Sequence, residues 1–301
     1  MQLLADLSYW EIFAGSFADY FWYTWREISF QADPWYENYL MWLVALSLVV
    51  WILEIIFPWR KDQPVLRKDF WLDAFYMIFN FYIFKLIIFI AFSNLTERMF
   101  SDVLGGNVAR FSLVDMSQLP NWVQLIVFFV CIDFVSWATH YCLHRIKFLW
   151  RFHKVHHSVK QMGFAAHLRF HWMENVVYTP VKYIAMMLIG NFGPQQVFVV
   201  YYLAIAIGHI NHANLRIDYG WLRFVFNNPK MHIWHHAKEL PESRRYGVNF
   251  GISLSCWDYI FRKNYIPEEG RDIELGFQGD ERFPKRFWGQ LVTGFVRKTK
   301  G

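Results

Sequence analysis

The chain has 301 residues, of which 55% are hydrophobic, 21% aromatic and only 18% charged, less charge than an ordinary soluble domain of this length carries. The formal net charge of +5 is spread through clusters beside apolar segments, which argues against a nucleic-acid surface and for contact with anionic lipid headgroups. The three cysteines, Cys131, Cys142 and Cys256, show no C-x-x-C spacing and so point to neither a disulfide framework nor an iron–sulfur cluster.

In chain order, the N-terminus lacks a basic region followed by an apolar one, so no cleavable signal peptide is expected. Four apolar stretches follow. The first runs from about Leu40 to Phe57, the second from Phe70 to Phe92 and the third from Trp122 to Thr139. The fourth is a pair, Val176–Ile189 and Gln195–Ile207, interrupted by Gly190, Gly193 and Pro194. At about 1.5 Å per residue the third approaches the ~30 Å of a hydrocarbon core. The halves of the pair are short for independent spans and suit either a re-entrant hairpin or two tilted helices buried against the others. Sixteen Trp and sixteen Tyr fit a protein that meets a bilayer interface. No linker, low-complexity run or internal repeat divides the chain.

The loop after the first stretch carries Arg60, Lys61, Arg67 and Lys68, whereas the longer loop after the second has only Arg98 and Arg110. Positive residues favour the cytoplasmic side, so the third stretch is expected to return the chain there at His140. Arg262, Lys263, Lys285, Arg286, Arg297, Lys298 and Lys300 agree. Glu54, Asp73, Lys85, Asp133 and Lys182 fall in or near apolar runs, where ionisable groups face a protein interior or a wet cavity; the two lysines can alternatively snorkel. Asp133 lies two helical turns before His140 and is the first candidate for an outer partner to a metal ligand.

All twelve histidines lie between positions 140 and 236. His140 and His144 form H-x3-H; His153, His156 and His157 form H-x2-H-H. His209 and His212 form H-x2-H, and His232, His235 and His236 repeat H-x2-H-H. Each spacing puts imidazoles on one face of a helix, about 5–6 Å apart. Any one of these pairs is weak evidence, since H-x3-H is common on helix surfaces. Together they give ten imidazoles on four elements, too many for one four-coordinate ion and enough for two. Imidazole suits Zn, Cu, Fe and Ni alike, so spacing does not name the metal. His167 and His171 belong to no comparable cluster and are expected to back up the ligands or line a substrate site.

Three segments carry a resemblance: T-H-Y-C-L-H-R at 139–145, F-H-K-V-H-H-S at 152–158 and M-H-I-W-H-H-A at 231–237. In this order they resemble the fatty acid hydroxylase superfamily, which includes sterol desaturases. Leu168–Glu174 is similar to its R-x-H-P-x-E element, with Trp172 in place of the usual Pro. Asn211–Asn214 is similar to its N-H-S/A-N element, and Tyr246–Phe261 to its N-Y-G…W-D-x-x-F ending. The chain departs at Arg262–Asn264, where Gly-Thr is common. The resemblance covers roughly 120–265. It implies an all-α membrane protein in which about four transmembrane helices lie under a cytosolic helical cap with a histidine-rich di-metal site. It also implies that the ten clustered histidines are the ligands of two iron ions, with zinc able to replace iron in purified protein. The organisation is then 1–120, an N-terminal region with two spans; 121–265, the histidine-box domain; and 266–301, a basic C-terminal tail.

The implied reaction is O2-dependent hydroxylation or desaturation of a membrane lipid, a sterol or a fatty acyl lipid, with a sterol desaturase-like protein slightly favoured by the H-x2-H-H-S context. Glu174, Asp133 and His171 are the candidates for catalytic support, with Asp258 as a further outer carboxylate. The chain has no G-x-G-x-x-G, Walker loop or haem-attachment signature. Electrons are therefore expected from a separate protein, a ferredoxin or cytochrome with its reductase. Two other readings are a non-catalytic metal-binding membrane protein and a membrane haem protein.

Overall fold

The computed structural model describes residues 7–32, 34–84, 119–190 and 194–295, with 94–95, 98–99, 102, 113 and 116 between them. Its first element is one that apolar run-length does not announce. Helix α1 (Tyr9–Ile28) opens with a reciprocal cap, Ser8 accepting from Glu11 N while Glu11 accepts from Ser8 N. It leaves Trp10, Phe21, Trp22 and Trp25 exposed and docks through Glu27, whose carboxylate accepts from Leu40 N at the start of α2.

Helix α2 (Tyr39–Ile56) and helix α4 (Asn121–Arg145) are long and apolar enough to cross a membrane. Only 22% and 33% of the residues in their apolar windows are buried inside the protein, fewer than in the core helix of a soluble fold. Between them, α3 (Phe70–Ile78) continues into a π-helical turn, Phe79–Ile83. The remainder of the second expected span, with Lys85, lies outside the described residues, as do Arg110, Gly193, Arg297, Lys298 and Lys300.

Helix α4 runs six residues past the apolar stretch and so carries His140 and His144 on its last turns. Helix α5 (Lys147–His157) turns back beneath it, and α6 (Trp172–Ile189) and α7 (Pro194–His212) form the pair expected from sequence. Gly190, at φ +91°, ends α6 in a conformation that favours glycine. Short helices α8 (Pro229–His235), α9 (Cys256–Ile260) and α10 (Phe287–Leu291) complete the body. Among the described residues there are no strands, only the isolated bridges Pro58–Leu215, Phe226–Leu254 and Ala237–Leu275.

Glu54, Asp73 and Lys182, ionisable residues in or near apolar runs, each have partners within the protein. Glu54 accepts from the backbone N–H of Phe164 and of Asn214, joining α2 to two segments near the histidines. Asp73 is fully buried between Arg67 and Arg169, and Arg169 also reaches Asp69 and Ser158. Lys182 lies over the Tyr178 ring. Residues 266–295 pack back on the body: Leu275 joins a buried apolar cluster, and Leu291 O accepts from His171 Nε2 and Trp172 Nε1.

Candidate metal centre

The end of α4, the second half of α5, the end of α7 and α8 converge, and nine buried imidazoles meet there in two groups. His140, His144, His153, His157 and His235 form the first; His156, His212, His232 and His236 form the second. Within each group the candidate ligand atoms all lie within 4.8 Å of one another.

The H-x2-H-H spacing does more than place three rings on one face. Residues four apart differ by about 40° around a helix, and those three apart by about 60° the other way. Accordingly His153 and His157 serve the first group while His156 turns to the second. On α8 the assignment is reversed: His232 and His236 serve the second group and His235 the first. Each motif bridges both groups.

Outer hydrogen bonds fix which nitrogen faces inward. Nδ1–H donates to Phe250 O from His140 (2.8 Å), to Arg169 O from His156 (3.1 Å), to Gly208 O from His212 (2.8 Å) and to Val248 O from His235 (2.8 Å). His153 Nδ1–H donates to Glu174 Oε2 at 2.9 Å. With the proton on Nδ1, the lone pair is on Nε2. The inward Nε2 atoms approach closely: His140–His153 and His144–His157 at 3.1 Å, His156–His212 at 3.2 Å, His212–His232 at 2.9 Å and His232–His236 at 3.2 Å.

These separations test the fit of a metal. Two metal–nitrogen bonds of about 2.1 Å set their nitrogens about 3.0 Å apart at a right angle and about 3.4 Å apart at the tetrahedral angle. The observed values lie near this range, so each group is spaced to hold one metal ion. His235 Nε2 is buried, has no hydrogen-bond partner and belongs to the first group, the environment expected of a ligand atom. Burial also keeps the rings neutral. It lowers His156 to about 3 and holds His153, His157, His232, His235 and His236 well below the ordinary imidazole range, with neighbouring imidazoles adding to the effect. Neutral imidazole is the form that binds metal.

His209 is not brought into either group. Its Nε2 lies 3.1 Å from Ser47 Oγ on α2, and its Nδ1 lies 3.2 Å from His167 Nδ1, so the expected ten converging rings become nine. Of the supporting residues expected from sequence, Glu174 meets a candidate ligand. Asp133 does not: it accepts from Ser253 N, Leu254 N and Trp257 Nε1, clamping the segment before α9 to α4. His171 does not either; its Nδ1 caps α6 through Met173 N, and its Nε2–H donates to Leu291 O. Asp258 works at one remove, accepting from Phe250 N, Gly251 N and Trp137 Nε1 and so seating the carbonyl that receives His140. The carbonyls of Phe250, Arg169, Gly208 and Val248 were beyond sequence reasoning, because any residue type supplies one.

Residues 125–263 match the family model described as fatty acid hydroxylase. An ornithine lipid hydroxylase of Rhizobium tropici is 30% identical over 182 residues, 60% of this chain and 53% of the relative. Alkylglycerol monooxygenases match as well. The Caenorhabditis elegans protein is 28% identical over 43% of this chain and 24% of its own length; the Xenopus tropicalis protein is 22% identical over 81% and 51%. The chain thus spans about half the length of these relatives, or less. No solved structure matches.

Proposed function

We propose that this fatty acid hydroxylase domain, residues 125–263, holds two iron ions in its paired imidazole groups and hydroxylates a membrane lipid with O2. The observation that carries the reading is the convergence of nine buried imidazoles at ligand spacing on a family-matched segment. The named relatives are hydroxylases and monooxygenases, which favours hydroxylation over desaturation. It also favours an amino- or glycerolipid over the sterol suggested by the H-x2-H-H-S context.

Iron bound there would supply the activation of O2 that an unreactive C–H bond requires. The chain's own residues do the rest. Glu174, Asp258 and the backbone carbonyls hold five of the nine rings, those of His140, His153, His156, His212 and His235, in one tautomer and one orientation. Burial excludes water from the nine imidazoles, so they stay neutral and available. The ten histidines expected as ligands reduce, on this reading, to the nine of the two groups, with His209 serving from outside them.

The membrane arrangement belongs to the same proposal. With α2 and α4 as spans, α3 and its continuation and the α6–α7 pair would complete a base of about four transmembrane helices, residues 1–120 supplying the first two. The histidine domain, 121–265, would then face the cytosol from the C-terminal end of α4, the side that Arg60, Lys61, Arg67 and Lys68 favour. Electrons would come from a separate ferredoxin or cytochrome with its reductase.

The test is comparative lipid mass spectrometry with and without the gene, repeated with purified, iron-loaded protein and an added reductase system. Gain of one oxygen atom in a lipid supports the reading. Loss of two hydrogens instead would make the protein a desaturase, and turnover without an electron donor would remove the partner from the scheme.

A further inference from the structure

The two imidazole groups are unequal, five rings against four, and the structure offers a candidate for the missing ring. His167 lies on the 3-10 turn Phe164–Leu168, outside every spaced motif. Its ring centre is 5.1 Å from that of His212, a member of the four-ring group, with the planes at 34°.

Position 208 is one helical turn before His212, so a side chain there would lie on the same face of α7. Residue 208 is glycine, and a Cβ built on it would stand 2.2 Å from both Cε1 and Nε2 of His167, closer than any real contact. The imidazole of His167 fills the room that the absent side chain leaves, with its Cε1–Nε2 edge against the glycine. The histidine that stays out of both groups is its neighbour: His209 Nδ1 lies 3.2 Å from His167 Nδ1, and His209 Nε2 lies 3.1 Å from Ser47 Oγ. If His167 Nδ1–H donates to His209 and His209 Nε2–H donates to Ser47, the lone pair of His167 is left on Nε2. That is the protonation pattern of the ligand histidines already described, with a side-chain acceptor in place of a carbonyl.

We infer that His167 is the fifth imidazole of the second metal position, admitted by the missing side chain at Gly208 and oriented by His209 and Ser47. The inference rests on the two-metal reading, and the site would take a divalent transition metal ion.

Cobalt(II) tests it without lipid, O2 or reductase. Full-length protein in detergent is stripped, reloaded with Co2+ alone, and followed by its visible absorption and by release to a chelator. His167→Gly should still take up two ions, with the spectrum of one altered and that ion released roughly 10–100-fold faster or more. Added imidazole should restore both properties by refilling the space. Gly208→Ala, which pushes the ring away by a different route, should alter the same ion and leave the other unchanged. Unchanged spectra and release in both variants, or equal disturbance of both ions, would overturn the assignment of His167. Fewer than two cobalt ions in the unaltered protein would instead sink the two-metal reading itself.

Discussion

Replacing Glu174 by Gln should move metal affinity and metal-free stability in opposite directions. The carboxyl is 4% exposed and accepts from two neutral groups, His153 Nδ1–H at 2.9 Å and the His171 backbone N–H at 3.4 Å. Without a metal, no cation is among its hydrogen-bond partners, and a buried charge without a cation is unfavourable. Gln keeps the shape and an acceptor oxygen but removes the charge, so the stripped variant should be as stable as the parent or more so. With a metal bound, the same charge lies one imidazole away from a dication and stabilises it through His153. Loss of such a partner weakens metal binding about 10–100-fold, or about 1.4–2.7 kcal/mol. Because the candidate ligand that Glu174 contacts is His153, the effect should fall on the ion of the first group. Thermal unfolding of stripped protein and chelator competition on loaded protein measure the two quantities. A stripped Glu174→Gln protein less stable than the parent, or equal weakening of both ions, would refute the reasoning.

Other perturbations separate ligands from scaffold. His156→Ala and His235→Ala should each remove metal, from the second and first groups respectively, and abolish lipid oxidation; elemental analysis beside the lipid assay checks this. His171→Asn should leave metal content intact while freeing the segment around Leu291, seen as faster proteolysis there. Asp73→Leu would leave Arg67 and Arg169 buried without this carboxylate and should lower stability by about 3–5 kcal/mol in denaturant titration. The histidines outside the apolar helices set the pH response of stripped protein. Their native-state proton affinity is depressed, so below the ordinary imidazole pKa of about 6.5 the unfolded chain binds more protons than the native one. The histidine contribution to stability should therefore fall as the pH drops below about 6.5 toward the value of about 3 at His156. A flat profile across that window would contradict the burial that the structure shows.

Much of the centre was legible because ligation imposes spacing on sequence. H-x3-H and two H-x2-H-H runs mark helix faces, and eight of the nine converging imidazoles come from them; the family resemblance rests on the same residues. What sequence could not show is how far a neighbour redirects a ring. His209 has the right spacing to His212, yet Ser47 and His167 hold it elsewhere. Asp133 sits on α4 in phase with His140, but three N–H donors around Ser253 claim its carboxylate first. Helix α1 was missed for another reason. Its aromatics are interleaved with Glu11, Asp19 and Arg26, so it forms no apolar run, and the legible signal was the Ser8–Glu11 cap. The apolar stretches at 40–57 and 122–139 became α2 and α4, since neither contains a glycine or proline to break the helix.

Because each three-histidine run feeds both groups, its internal length is not free to drift. One residue inserted between His153 and His156 would rotate the two later rings by about 100° and exchange the neighbours each ion meets. A deletion within His232–His236 would do the same from the other side. The connecting chain is under no such geometric rule, and insertions there leave the ring positions alone. Length variation in proteins built on this plan should thus gather between the runs and at the chain ends.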